Sequence, residues 1–344
     1  MNKSFVLMTA MPPTTGHLQL IRFARQIGSS VKVMINTQPH EPMVNERVLA
    51  LRDAVKRSGL RNVEVSHYNK TIEQDPKTPG FWDMWQKLMI KFGIKPGDNI
   101  VASEPYGQKL AEITGTQFFP SDINRDINCA VATHIRNDPA AHFDEILPEF
   151  QRYLTTTVTV FGAESTGKTT LSRQLAEKLG GQWVFEYARP YLENTLNEIT
   201  PRSMKNIWIG QAALQRHVQN LGGKPYVIQD TDLFSTVGYW QFPHWRNQIG
   251  KCPSGLIKDA KRLKSDLYII TASNIPFEPD PLRYGGDVRE GSDEYWINVC
   301  KHYGLPYIIL NNPDPNIRLR QAVREIKKVS KQKAGRISFD RHGL

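Results

Sequence analysis

The stretch Val158–Leu171, VTVFGAESTGKTTL, decides the fold of the second half of this 344-residue chain. Val158 to Phe161 is a short run of β-branched and aromatic residues, the composition of a buried strand. Gly162, Gly167, Lys168 and Thr169 then satisfy G-x-x-x-x-G-K-[ST]. Beyond them Leu171, Leu175, Ala176 and Leu179 recur at helical spacing, and Gly180-Gly181 closes the pattern. Strand, glycine loop and helix in that order is the setting a phosphate-binding loop needs. The backbone of Gly162, Ala163, Glu164, Ser165, Thr166, Gly167, Lys168, Thr169 and Thr170 is expected to cradle phosphate oxygens at a helix N-terminus. Lys168 would reach the β- and γ-phosphates of ATP, and the Thr169 hydroxyl would ligate Mg²⁺.

Downstream, the strand Trp183–Phe185 ends in Glu186-Tyr187-Ala188-Arg189-Pro190. An acid at the carboxyl end of a strand beside such a loop is placed to take a proton from a substrate hydroxyl, so Glu186 is the candidate base. A surface Glu186–Arg189 pair is the plainer reading of the same residues. Tyr226 to Gln229 is an apolar run that ends in Asp230-Thr231-Asp232, which puts Asp230 near Mg²⁺, directly or through water. Leu267–Thr271 and Tyr307–Leu310 are the remaining strands. Between them lies a polar loop whose Arg283 and Arg289 are expected to close over the transferring phosphoryl group. Five strands around this loop describe a small-molecule kinase better than a large ATPase.

The first half repeats the theme. Phe5–Thr9 reads as a central strand; the turn Pro12-Pro13-Thr14-Thr15-Gly16-His17 follows and a helix begins at Leu18. His17 at a helix N-terminus can meet phosphate oxygens or simply cap its own helix. Val31–Ile35, Val63–Val65 and Ile100–Ala102 are further strands. Pro76–Trp85 reads as a turn-rich loop bearing Phe81, Trp82 and Trp85, and Ala132–Arg136 as the opening of a polar stretch. Strand–helix alternation throughout predicts an α/β chain of two doubly wound parallel-sheet domains, residues 1–153 and 154–344. Tyr153–Thr157 joins them without a Gly- or Pro-rich linker.

Composition bounds the class. Apolar content of 40% and charged content of 23% are those of a globular protein. There is no membrane-length apolar run and no export signal, and three scattered cysteines give neither a metal spacing nor a disulfide framework. The expectation is a cytoplasmic protein without a membrane partner. Net charge is +10, and it is uneven: residues 1–153 carry 18 basic against 16 acidic residues, residues 154–344 carry 26 against 18. The functional reading of this excess is an anionic partner: nucleotide, nucleic acid or membrane. The basic run Arg318–Arg336 reads as a solvated helix face, without the interleaved aromatics of a base-stacking surface.

The turn Thr14-x-Gly16-His17 resembles the (H/T)-x-G-H signature of nucleotidylyltransferases, with Thr14 where the nicotinamide mononucleotide branch usually has His. That resemblance implies ATP held by Thr9, Ala10, Met11, Thr14 and His17. It implies a phosphate-facing Arg47 after the second strand, an aromatic substrate loop with Trp82 and Trp85, and an I-S-x-T-x-x-R-like end in Thr133 and Arg136. Fused to GAESTGKTTL, W-V-x-E-Y-A-R and D-T-D, the whole resembles the bifunctional NadR family, a nicotinamide mononucleotide adenylyltransferase followed by a ribosylnicotinamide kinase. The family's helix-turn-helix domain is expected to be absent. The resemblance implies ATP, ribosylnicotinamide, nicotinamide mononucleotide and NAD as ligands, with Tyr187, Arg189 and Asp232 on the substrate. Two alternatives stay open: a coenzyme A-type adenylyltransferase/kinase, favoured slightly by Thr14, and a nucleotide-sensing DNA-binding regulator. A homo-oligomer is also left open.

Overall fold

Phe5, Val6 and Met8 are buried along the first strand, yet they belong to two different apolar clusters. Side chains alternate across a strand, so a run apolar at every position must be covered on both faces. That is the architecture of each half of the chain. The computed structural model describes residues 2–73, 75–128, 130–195, 198–277 and 291–337. It divides into two compact units, Leu154–Lys333 and the remainder. The segment from Ala334 groups with the first unit, where the sequence reading assigns it to the second.

In the first unit, β1 (Ser4–Met8), β2 (Val31–Thr37), β3 (Val63–Asn69), β4 (Asn99–Ala102) and β5 (Gln117–Pro120) form one parallel sheet in the order β3-β2-β1-β4-β5. α1 (Thr15–Ile27) and α2 (Val44–Arg57) cover one face, packing Ile21, Ala24, Leu51 and Val55 on Val6, Val33 and Ile35. α3 (Phe81–Phe92) and α4 (Tyr106–Thr114) cover the other, with Trp85, Met89 and Leu110 on Phe5, Met34 and Ile100. The short helices α5 (Ala132–Asn137) and α6 (Pro148–Gln151) follow. The strand order reverses beside β1, which opens a cleft at its carboxyl end, the usual ligand position in such a sheet.

Two local expectations are corrected. β5 was not foreseen: it is a four-residue edge strand, and Pro120 is tolerated there because an edge need not donate on both sides. Pro76–Trp85 is a loop only as far as Gly80. Gly80 takes φ 81°, and Phe81, Trp82 and Trp85 then lie on the first turns of α3. Ala132–Arg136, read as the opening of a polar stretch, lies in the helix α5 and buries Ile135.

In the second unit, β6 (Thr156–Phe161) is central. α7 (Lys168–Leu179), β7 (Gln182–Val184), α8 (Ala188–Glu193), α9 (Pro201–Leu221) and β8 (Tyr226–Asp230) follow. Next come α10 (Leu233–Gln241), α11 (Pro243–Ile249), α12 (Ser254–Arg262), β9 (Leu267–Thr271), α13 (Ser292–Tyr303), β10 (Tyr307–Leu310) and α14 (Pro315–Ala334). All five strands are parallel, in the order β10-β9-β6-β8-β7. Phe161, Tyr268 and Ile270 pack against Met204, Phe234, Leu256 and Trp296 from α9, α10, α12 and α13. Among the described residues, no helix is long and apolar enough to cross a membrane.

Candidate functional site

The glycine loop after β6 owes its shape to three residues in the left-handed region, Gly162 (φ 131°), Ser165 (φ 57°) and Gly167 (φ 81°). A Cβ on Gly162 would stand 2.9 Å from the Thr271 carbonyl oxygen, so the close approach of loop and β9 requires glycine. The Thr166 hydroxyl lies 2.7 Å from that of Thr271 and donates to the Ala163 carbonyl at 2.9 Å. Lys168 donates to the same carbonyl at 2.6 Å and is thus parked across the loop. Thr169 and Thr170 open α7.

A cavity of about 690 Å³ opens from this loop. Residues Glu164–Thr170, Glu186 and Arg189 line it, with Met204, Ile207, Tyr239 and Trp245 as an apolar wall. Asp230, at the end of β8, is 2% exposed. Burial raises its pKa, opposed first by a hydrogen bond from Thr169 and then by the charges of Lys168, Arg189 and Arg173. Its Oδ1 has no hydrogen-bond partner among the described residues. A carboxylate oxygen and a hydroxyl side by side at the phosphate loop suit a hard, oxygen-seeking cation such as Mg²⁺. Among the described residues there is no cluster of three or more His, Cys, Asp or Glu that would bind a metal without the nucleotide's own oxygens.

Two sequence-assigned substrate residues point elsewhere. Asp232 is the N-cap of α10: Oδ1 accepts from the amides of Phe234 (2.8 Å) and Ser235 (3.2 Å), and Oδ2 from the Tyr268 hydroxyl (2.8 Å). It is 1% exposed, and burial lifts its pKa to about 6. Tyr187 packs its ring over Gly210 of α9 and stacks on Tyr191 at 6.3 Å instead of lining the cavity. Arg283 and Arg289 lie outside the described residues. The solvated-face reading of Arg318–Arg336 fails at its first residue. Arg318 is 4% exposed and donates to the carbonyls of Thr166 (3.2 Å), Ala272 (3.0 Å) and Asn312 (2.5 Å). It therefore braces the phosphate loop from α14 and lines the cavity. A single arginine at the start of a basic helix carries no sequence mark that separates it from its solvated neighbours.

The first unit has its own cavity, about 740 Å³, at the carboxyl end of β1. Thr9, Thr14, Gly16, His17, Trp82, Trp85 and Arg125 are on its walls. Thr14 and His17 form a capping box on α1. The Thr14 amide donates to His17 Nδ1 at 3.0 Å, the Thr14 hydroxyl lies 2.6 Å from the same nitrogen, and the His17 amide donates back to that hydroxyl oxygen at 3.4 Å. His17 caps its own helix and also faces the cavity. Burial first, then the charges of Arg125 and Arg47, lower its pKa to about 4. The ring is therefore neutral, and since Nδ1 accepts from an amide, Nε2 carries the proton.

Arg47 does not face this cavity. It is fully buried, pairs with Glu41 at 2.7 Å, and donates to the Ala10 carbonyl (3.1 Å) and to that of Thr9. An arginine with its fork committed to an acid and two carbonyls shapes the turn from behind. The side chains of Ala10 and Met11 are buried in the same turn. Arg136 donates to the Met11 carbonyl at 2.8 Å and to the Thr133 hydroxyl at 3.0 Å, so these two residues meet at the turn rather than on the cavity wall. Arg125, which the sequence reading passed over, does line the cavity, on the loop after β5. That loop follows the strand missed in the sequence, so nothing local marked it.

Fold and site define a class: two parallel five-stranded α/β units, the first with a capped turn on its own cavity and the second with a P-loop. Residues 157–318, which include the glycine loop of this chain, match the family model described as an AAA domain. The chain is homologous to the NadR proteins. It is 23% identical over 341 residues to the trifunctional NAD biosynthesis/regulator protein NadR of Salmonella typhimurium strain LT2, covering 92% of this chain and 81% of the relative. The Escherichia coli K12 protein of the same name gives the same identity and coverage. The fold of the present chain is that of a solved NadR structure in complex with NR, with a TM-score of 0.65 at 23% identity over 96% of both chains. A second NadR structure, with NAD and AMP-PNP, gives 0.66 at 22% identity over 99% of this chain and 98% of that one.

Proposed function

We propose that this chain makes NAD in two steps. The second unit phosphorylates the 5′-hydroxyl of ribosylnicotinamide with ATP, and the first transfers an adenylyl group from ATP to the resulting mononucleotide. One observation carries the reading. The first strand of each unit ends in a phosphate turn that opens onto its own cavity, Lys168 with Glu186 in one and His17 with Trp82 in the other.

In the second unit Glu186 accepts the proton of the 5′-hydroxyl, whose oxygen attacks the γ-phosphorus as ADP leaves. Lys168 leaves the Ala163 carbonyl for the phosphates, and the loop amides hold the β-phosphate. Thr169 and Asp230 would hold Mg²⁺, which when bound offsets charge on the phosphate oxygens. Arg189 on the same wall adds a cation near the transferred group. In the first unit a phosphate oxygen of the mononucleotide attacks the α-phosphorus of ATP and pyrophosphate leaves. No covalent link to the protein is needed, so the work is positioning and electrostatics. Neutral His17 donates from Nε2 at the N-terminus of α1, and Trp82 and Trp85 offer ring surface to the pyridine. The names of the NadR relatives and the ligands of their solved structures support the same chemistry.

The test is product analysis on the purified chain with ATP and magnesium. Ribosylnicotinamide should yield nicotinamide mononucleotide, then NAD and pyrophosphate; supplied mononucleotide should yield NAD directly. Turnover of pantetheine phosphate in place of the pyridine substrates would favour the coenzyme A alternative.

A further inference from the structure

The cations expected on the phosphates of the first unit are mostly absent from its cavity wall. Arg47 is buried behind the turn, Arg136 is tied to Met11 and Thr133, and His17 is uncharged. Among the described residues lining the cavity, Arg125 is the sole lysine or arginine. A site for a polyanion needs positive charge where the phosphates rest.

The loop that carries Arg125 is fastened to the phosphate turn. The Asp122 carboxylate accepts from the amides of Ile127 (3.1 Å) and Asn128 (2.8 Å). Asn128 donates from Nδ2 to Thr15 Oγ1 (3.3 Å) and Gln19 Oε1 (3.0 Å) on the first turns of α1. Its side chain approaches Gly16 so closely that a Cβ there would stand 3.4 Å from Oδ1. Asp122 (φ 47°) and Arg125 (φ 58°) both take the left-handed conformation, which is readily adopted by aspartate and uncommon for arginine. Arg125 donates from Nη1 to the Ala130 carbonyl (3.1 Å), and its Nη2 stands 3.9 Å from Glu104 Oε1. About a third of the side chain is exposed.

We propose that Arg125 is a phosphate-binding residue of the first-unit cavity, closing with its guanidinium on an anion held at the N-terminus of α1. The inference rests on the nucleotide-transfer reading above and adds to it the residue that supplies the charge. Glu104 at 3.9 Å is beyond hydrogen-bond reach of the guanidinium, whereas a phosphate can take a bidentate pair of bonds from such a fork. The phosphate belongs either to ATP or to the mononucleotide, and the experiment separates them.

Initial rates of pyrophosphate release are measured for the full chain and its Arg125→Gln and Arg125→Lys variants, varying ATP at saturating mononucleotide and then the reverse. Equilibrium dialysis with labelled ATP and labelled mononucleotide runs alongside, as does thermal unfolding. Arg125→Gln should raise KM, and the dialysis Kd, by about 10- to 100-fold for one phosphorylated ligand and leave the other nearly unchanged, at an unaltered melting temperature. The ligand that moves identifies the phosphate. Arg125→Lys should recover a large part of the loss because the charge is kept. The inference is overturned if neither constant moves. It is also overturned if both move equally, with a lowered melting temperature and no recovery by lysine, because Arg125 would then serve only the Ala130 carbonyl. A wild-type chain that releases no pyrophosphate refutes the transfer reading, and the dialysis still decides the role of Arg125.

Discussion

On the proposed reading His17 is a neutral donor. Its environment holds its pKa near 4, so no change of charge falls in the physiological range. A histidine whose pKa is lowered on folding withdraws stability as pH falls from about 6.5 towards 4, and adds nothing further above that window. The pH profile of adenylyl transfer should therefore be flat through 6.5 on the His17 account; a step of activity there that disappears in His17→Ala would contradict it. His17→Ala should lower pyrophosphate release by roughly 10²–10³-fold, the usual cost of one preorganised donor. Thr14→Ala should cost roughly 10-fold, with about 1 kcal/mol of lost stability, since it removes the cap that orients the ring. Steady-state rates together with denaturant melts separate the two effects.

At the scale of the element, α10 hangs on a buried acid. Asp232 caps it and receives the Tyr268 hydroxyl, and its folded pKa near 6 lies above the value of the free side chain. The folded state then binds more protons than the unfolded one between about pH 4 and 6, so this group's contribution falls as pH rises through that window. Two pKa units correspond to about 3 kcal/mol. Asp232→Asn cannot ionise, so its stability relative to the parent should improve by that order between pH 4 and 6 in denaturant titrations. A constant difference across the window would show that the acid is not strained by burial. On α9, Gly210→Ala would set a Cβ 2.0 Å from the Tyr187 ring. Tyr187 follows Glu186, and its amide is held by Gln211 Oε1 at 3.0 Å, so a displaced ring should disturb the candidate base. Phosphorylation by Gly210→Ala should fall at least 10-fold while adenylyl transfer holds. An undiminished kinase rate would detach Tyr187 from the positioning of Glu186.

At the scale of the whole molecule, the two parallel sheets were legible because buried parallel strands are continuous apolar runs and the glycine loop fixes its own geometry. The second sheet was read in full. In the first, β5 escaped because Gln117–Pro120 is short, half-exposed and ends in proline. The positions of Thr14, His17, Lys168 and Glu186 on cavity walls followed from strand–turn–helix order alone. What could not be read was which polar side chains turn inward to hold the backbone. Arg47, Asp232 and Arg318 look in sequence like site or surface residues, yet each is spent on carbonyls, amides or a buried hydroxyl. Those partners lie up to 152 positions away, and no local pattern records them.

Because the turn after the first strand of each unit opens onto a cavity of that unit, the two proposed activities should be separable by single substitutions. Product analysis of Lys168→Ala and His17→Ala beside the parent, each given ATP, magnesium and either ribosylnicotinamide or nicotinamide mononucleotide, tests this most directly. Lys168→Ala should lose phosphorylation of ribosylnicotinamide by about 10²-fold or more yet still convert the mononucleotide to NAD. His17→Ala should accumulate the mononucleotide and make little NAD. Loss of both activities in either folded variant, or a parent that produces neither compound, would contradict the account.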